Sequence, residues 1–301
     1  MTTTTTPQVL RDTPTMRTPL SRARRDRSIG AILSDASRLD AGAVESVLRA
    51  EKEKGLLFGE AGISLGLLKQ DDIDFAMARQ FDYPYLMAGD ERISHDVVAA
   101  FKPFSPVVEQ LRVLRSQLML RWFNGEPGHK ALAITSAGRG EGRSFIAANL
   151  AVVFSQLGER TLLIDADLRH ACQARLFTLE NRAGLSSMLA GRAGREAIVR
   201  VAAMLDLSVL PAGVVPPNPQ ELLGRPAFAQ LLQDLAEDFD VILIDTPAAR
   251  DYADAQTLAA RAGAALVLAR KDLTSAPDLF QLARSVQQSG AELVGSVLND
   301  V

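Results

Sequence analysis

Six short apolar runs constrain this chain more than any other feature. They are ALAIT (131–135), TLLID (161–165), LSVLP (207–211), VILID (241–245), ALVLA (265–269) and LVGSVLN (293–299). Stretches of helical periodicity separate them. Continuous apolar runs of this length between helices read as strands buried on both faces, which is the pattern of a parallel sheet. The expected fold over 105–301 is therefore α/β, with a doubly wound, mostly parallel sheet. Ligands of such sheets bind beyond the carboxyl ends of the strands, so the residues that follow each run carry the functional reading.

The run ALAIT leads into SAGRGEGRS and then into the helical stretch FIAANLAVVFSQLG. A strand, a glycine-rich loop and a helix in that order form a phosphate site. Gly138, Gly140 and Gly142 let backbone N–H groups converge on phosphate oxygens, and the helix N-terminus adds its dipole. The candidate nucleotide-binding residues are Ala137, Gly138, Arg139, Gly140, Glu141, Gly142, Arg143, Ser144 and Phe145. Two further runs end in acids. LLIDADLR (162–169) carries Asp165 and Asp167, and DVILIDTP (240–247) carries Asp245. Acids at strand ends can simply cap helices, but here they fall at the same sheet edge as the loop. Hard oxygen ligands there suit Mg²⁺, and the expected cofactors are ATP and Mg²⁺.

Composition narrows the field. The net charge of −3 gives no basic bias toward nucleic acid. Cys172 is the single cysteine, so no internal disulfide forms and a reducing cytoplasm is expected. His95, His129 and His170 lack ligand spacing. No apolar run approaches the roughly 20 residues of a membrane span, and residues 1–26, rich in Thr, Arg and Pro, read as a disordered tail.

Residues 27–86 contain a repeat. GAILSDASRLDAGAVESVLRAEK (30–52) aligns with GEAGISLGLLKQDDIDFAMARQF (59–81) at an offset of 29. The offset matches Gly30 with Gly59, Leu39 with Leu68, Val44 with Ile73 and Glu51 with Gln80. Each unit predicts a short helix, a turn and an amphipathic helix, with Ile73, Ala76 and Met77 on one face. Asp40, and Gln70 or Asp71, stand where helix caps belong. The expectation is a small helical domain at 27–86, then a linker at 87–104 marked by GDERIS and KPFSP.

These residues carry two resemblances. The helical segment resembles the N-terminal domain of type II secretion and pilus assembly ATPases, some of which bind cyclic di-GMP through paired units that begin Arg-Leu-Gly and end in Gln. Here Ser28 and Leu57 replace both arginines, Glu51 replaces one Gln and only Gln80 fits. A docking module that does not bind cyclic di-GMP tightly is expected. Residues 105–301 resemble a bacterial tyrosine kinase (BY-kinase) of the polysaccharide chain-length control type, in particular the free-standing kinases of exopolysaccharide loci. The loop 137–144 matches the first Walker motif of that family, DADLR the second and ILIDTP Walker B. PPNPQELL (216–223) and SVLN (296–299) also fit.

The resemblance implies a protein-tyrosine kinase that regulates exopolysaccharide polymerisation and export. It implies that Ser144, Asp165 and Asp245 manage Mg²⁺, that Asp165 or Asp167 accepts the proton of the attacking tyrosine, and that Asn299 lies near the adenine. EQLRVLR (109–115) fits a family motif implying a homo-oligomer in which Glu109, Arg112 and Arg115 reach a neighbour's site. The implied partner is a separate inner-membrane chain-length determinant that activates the kinase, with the chain cytoplasmic and peripheral at the membrane through it. Two departures stand out. Arg143 occupies the loop lysine position, where it is expected to grip phosphate and serve catalysis. The family's C-terminal tyrosine cluster is absent from this sequence, which has only Tyr83, Tyr85 and Tyr252. Two other readings remain open: a nucleotide-binding scaffold without catalysis, and an ATPase of the MinD and ParA type. The latter carries a signature lysine where Gly138 stands.

Overall fold

A computed structural model describes residues 27–81, 84–87 and 89–300. The expected disordered tail lies outside the described residues. The chain divides into two compact units between residues 83 and 84.

Among its described residues the first unit holds four helices: α1 (Ile29–Asp35), α2 (Ala41–Lys54), α3 (Phe58–Ser64) and α4 (Gln70–Gln80). Both α1 to α3 and α2 to α4 begin 29 residues apart, the offset read from the repeat. Ser28 and Asp40 cap α1 and α2 by accepting from Ala31 N and Ala43 N. The cap of α4 differs from the expectation. Gln70 and Asp71 are already helical, and Asp72 reaches back to accept from Lys69 N at 3.0 Å. A carboxylate on the third helical residue satisfies the cap amide as well as a cap side chain does.

Helix α1 packs on α4, and α2 packs on α3. Exchanging the two repeats maps one pairing onto the other, so the unit is built around a pseudo-twofold. A Cβ on Gly30 would lie 3.6 Å from Val44 Cγ1, and one on Gly59 3.1 Å from Ile73 Cδ1. The matched glycines thus face the matched aliphatics. Ile73 and Ala76 are buried as expected, together with Phe75, while Met77 is half-buried. Gln80, the residue that fits the dinucleotide-binding pattern, donates from Nε2 to Arg27 O at 2.9 Å.

The second unit begins with residues expected to form a linker. The stretch 87–104 is instead part of this unit's core: Ile93, Val97, Ala99, Ala100 and Phe101 are buried, and α5 (Val98–Phe101) crosses over helix α7, introduced below. Turn residues on both sides hid a short apolar segment whose burial the sheet domain requires. Next comes α6 (Pro106–Arg121), which ends where Trp122 Nε1 donates to Ala131 O.

All six apolar runs are strands: β1 (Ala131–Ser136), β2 (Thr161–Asp165), β4 (Leu207–Leu210), β5 (Val241–Asp245), β6 (Ala264–Arg270) and β7 (Glu292–Asn299). A two-residue β3 (Val199–Arg200) was not foreseen, being too short to show a pattern. The sheet order is β3-β4-β2-β5-β1-β6-β7, and only the β3–β4 pair is antiparallel. Helix α7 (Arg143–Leu157) follows β1. It is buried nearly all round because the sheet lies on one side of it and α5 and α6 on the other. The remaining helices are α8 (Gln173–Leu176), α9 (Leu185–Leu189), α10 (Pro219–Gly224), α11 (Pro226–Asp238), α12 (Asp254–Ala262) and α13 (Ala276–Gln288). Strands β1, β5 and β2 are neighbours, and Asp165 and Asp245 are register partners. The loop and both acid motifs therefore meet at one carboxyl edge.

Candidate active site

The glycine-rich loop takes its shape from positive backbone angles and a buried latch. Gly140 has φ +73° and Gly142 φ +96°. A Cβ at Gly142 would stand 2.3 Å from Asn299 Nδ2, so a side chain there would displace Asn299 as well as strain the backbone. Asn299 ends β7 and donates from Nδ2 to Glu141 O at 3.2 Å, which uses its amide to hold the loop. The Glu141 side chain is buried. It accepts from Gly138 N at 2.9 Å and from Thr274 Oγ1 at 2.6 Å. Gly138 N–H, expected to aim at phosphate, is thus held inside the loop, because a buried carboxylate takes the nearest amide.

Arg143 is the first residue of α7, and its guanidinium turns back over the loop. Nε donates to Thr246 O at 2.8 Å, and Nη1 donates to Gly138 O at 2.6 Å and to Ser136 Oγ. Nη2 has no protein partner among the described residues. The side chain thus clamps the loop to the exit of β5, with Nε and Nη1 of one planar group reaching both carbonyls.

Beneath the loop lie the two strand-end acids, both fully buried. Asp165 Oδ2 accepts from Cys172 N and Gln173 N at 2.9 Å each, and Asp245 Oδ2 accepts from Gln173 Nε2 at 2.7 Å. Burial first, and then the facing Asp245 carboxylate, push the Asp165 pKa well above the usual aspartate range. Burial also raises Asp245, against which hydrogen bonds from Gln173 and Ser144 pull back. Burial pushes the neighbouring Cys172 thiol up to about 12, so it remains protonated. Asp165 Oδ1, Asp245 Oδ1 and Gln173 Oε1 are buried without any hydrogen-bond partner. Orphaned acceptors in such a cluster are uncommon, and a cation is one partner that would satisfy them. No group of three or more His, Cys, Asp or Glu side chains forms a metal site among the described residues. Mg²⁺ needs less, since it keeps several waters and takes only one or two carboxylates beside substrate phosphates. The pair, together with the Ser144 hydroxyl, fits that ion.

Above the pair a cleft of about 220 Å³ opens. Arg139, Gly140, Arg143, Ser144, Asp167, His170 and Tyr252 are among the residues that line it. Asp167 is held by Arg169 N and His170 N on Oδ1. Phe145 packs against the core. Glu109, Arg112 and Arg115 lie along α6, away from the cleft lining. Arg112 pairs with Glu109 at 2.8 Å, and Arg115 donates to Val153 O at 2.9 Å. Sequence reasoning missed Gln173, which ties Asp165 to Asp245 and to Ser144 O. It opens the four-residue helix α8 eight residues beyond Asp165, too short an element to show periodicity, and no sequence signal marks it. Thr246, Thr274 and Ser136 were missed because their roles depend on contacts far apart in the chain.

Comparison with known proteins identifies the family. Residues 129–292 match the family model described as cellulose biosynthesis protein BcsQ. Tyrosine-protein kinase YwqD of Bacillus subtilis (strain 168) is 35% identical over 69% of this chain and 87% of its own length. Tyrosine-protein kinase etk of Escherichia coli (strain K12) is 33% identical over 68% of this chain, which spans 28% of that relative. The solved kinase domain of the Escherichia coli kinase superposes with a TM-score of 0.66 at 32% identity, covering 71% of this chain and 83% of that domain. The chain belongs to the bacterial tyrosine kinases. In this bacterial tyrosine kinase the glycine-rich loop, the buried acid pair and the largely buried Asp167, which lines the cleft, gather at the carboxyl edge of the sheet.

Proposed function

We propose that this chain is an ATP-dependent protein-tyrosine kinase that regulates exopolysaccharide polymerisation, export and chain length. The observation that carries the reading is the division of labour among three aspartates. Asp165 and Asp245 are sealed beneath the loop with one orphan oxygen each, while Asp167 faces the cleft beside Arg139 and Ser144.

In this reading the loop amides left uncommitted and the α7 N-terminus bind the phosphates of ATP. Ser144, Asp165 and Asp245 would hold Mg²⁺, which supplies neutralisation of phosphate charge when bound. Asp167 receives the proton of the attacking tyrosine hydroxyl. The geometry favours it over Asp165, whose Oδ2 is committed to two amides in a buried site. Arg139 and Arg143 place positive charge where charge spreads over the phosphoryl oxygens. Phosphoryl transfer depends on this positioning more than on covalent chemistry.

The link to polysaccharide rests on the family match, whose description names cellulose biosynthesis. Among the described residues no helix is long and apolar enough to cross a membrane. A separate inner-membrane chain-length determinant as activator, and a peripheral location through it, are part of the proposal. So is a homo-oligomer built on the exposed side of α6, with Glu109, Arg112 and Arg115 at the neighbour. The helical unit at 27–81 serves as a docking module.

One observation favours a second reading, a nucleotide-binding scaffold without catalysis: Arg143 spends two of its nitrogens on the protein. Incubating the full chain with Mg·ATP and a Glu-Tyr copolymer separates the two. Phosphotyrosine on the copolymer supports the kinase. Tight nucleotide binding with no phosphotyrosine, even with the membrane activator added, supports the scaffold.

A further inference from the structure

Tyr252 lines the same cleft as the phosphate loop and Asp167, and the reading above gives it no part. Its ring is not a loose surface side chain. The Arg169 guanidinium lies 3.9 Å from the ring centroid, close enough for a cation–π contact. Arg169 is itself ion-paired with Asp254, whose side chain is fully buried at the start of α12.

The backbone leading to Tyr252 is equally fixed. Ala249 N donates to Ser136 O at 3.1 Å, and Arg250 N donates to Ala137 O at 2.9 Å. These bonds lay the segment directly along the entrance of the phosphate loop. Asp251 then pairs with Arg139 of that loop at 2.6 Å. Tyr252 is therefore tied to the loop on one side and to the Asp165–Arg169 segment on the other. A phenol held in this way lines the cleft with Asp167 and Ser144, with little chain entropy left to lose on becoming an acceptor.

We infer that Tyr252 is a phosphoacceptor of this active site, modified within its own molecule. The inference rests on the kinase reading above and supplies that reading with a substrate. Tyr252 Oη attacks the γ-phosphorus of ATP. A new Oη–P bond forms as the bond from that phosphorus to the bridging oxygen breaks, and ADP leaves with the electron pair. The phenolic proton passes to Asp167 and from there to water. The phosphate ester lands among Arg139, Arg143 and Arg169, and charge-assisted hydrogen bonds to these guanidiniums offset its charge.

The test uses the full chain with Mg²⁺ and ATP, mapping phosphate by peptide mass spectrometry, with a Glu-Tyr copolymer added in a parallel reaction. Phosphate is expected on Tyr252, and Tyr252→Phe is expected to cut self-incorporation by about tenfold or more. An intramolecular step keeps its half-time when the protein is diluted roughly tenfold. In a mixture with the parent chain, Asp167→Asn molecules with an intact Tyr252 should stay unmodified. Phosphate on Tyr83 or Tyr85 with Tyr252 bare would overturn the inference, as would a rate proportional to protein concentration or modification of the Asp167→Asn chain in the mixture. If the copolymer is phosphorylated and Tyr252 is not, this inference alone fails. If nucleotide binds and neither is phosphorylated, the kinase reading fails and takes the inference with it.

Discussion

Arg143 is conspicuous in the sequence, but its contacts are not. Its charge and its place in the loop are plain from SAGRGEGRS. Its direction is not, because nothing in the motif announces that Thr246 O and Gly138 O offer a bridge for the fork. Removing the clamp frees the loop, so Arg143→Ala should weaken ATP binding about tenfold, or roughly 1.4 kcal/mol. Arg143→Lys keeps the charge but loses the planar fork that reaches Thr246 O and Gly138 O together. Titration calorimetry should find its ATP affinity within a few-fold of the parent's, while its melting temperature falls by roughly 2–4 °C. The buried acids lead to a prediction about pH. Both folded-state pKa values are raised above their unfolded ones, so the folded state binds more protons than the unfolded chain as pH rises from the ordinary aspartate value of about 4. Metal-free stability therefore declines as pH climbs from there through the raised values. Thermal melts in chelator should show that decline, and saturating Mg·ADP should flatten it by making the ionised pair the favoured state.

Among the secondary-structure elements, the strands were readable because each is a short apolar run fixed by burial on both faces, and the helical repeat because its offset of 29 recurs in both helix starts. What stayed hidden depends on long-range contact. The Glu141 latch needs Thr274, 133 residues away, and the burial of Ile93 through Phe101 needs helix α7 and the sheet beneath it. No local pattern encodes either. The loop–helix junction also depends on such a contact, because Asn299 fills the space where a side chain at Gly142 would go. Gly142→Ala combines that clash with a strained positive φ. It should cost about 2 kcal/mol or more in chemical denaturation and lower nucleotide affinity. Asn299→Ala in the same chain should recover the part due to the clash and leave the part due to φ.

At the scale of the whole molecule, the chain is two compact units with separate cores. Each has the elements it needs, and each should fold alone. Residues 27–83 should give a helical circular dichroism spectrum and a cooperative melt, and residues 84–301 should bind Mg·ADP as the full chain does. Loss of cooperative melting in either piece would show that the units depend on one another. The central claim is that Asp167 at the cleft lining accepts the proton while the Asp165–Asp245 pair buried beneath the loop serves the metal, and Asp167→Asn tests it most directly. Phosphotyrosine formation from Mg·ATP and nucleotide affinity would be measured on that variant and on the parent. The account predicts that phosphotyrosine formation falls by about 100-fold or more while the dissociation constant for Mg·ADP stays within a few-fold. Near-parental phosphotyrosine formation by Asp167→Asn would contradict it.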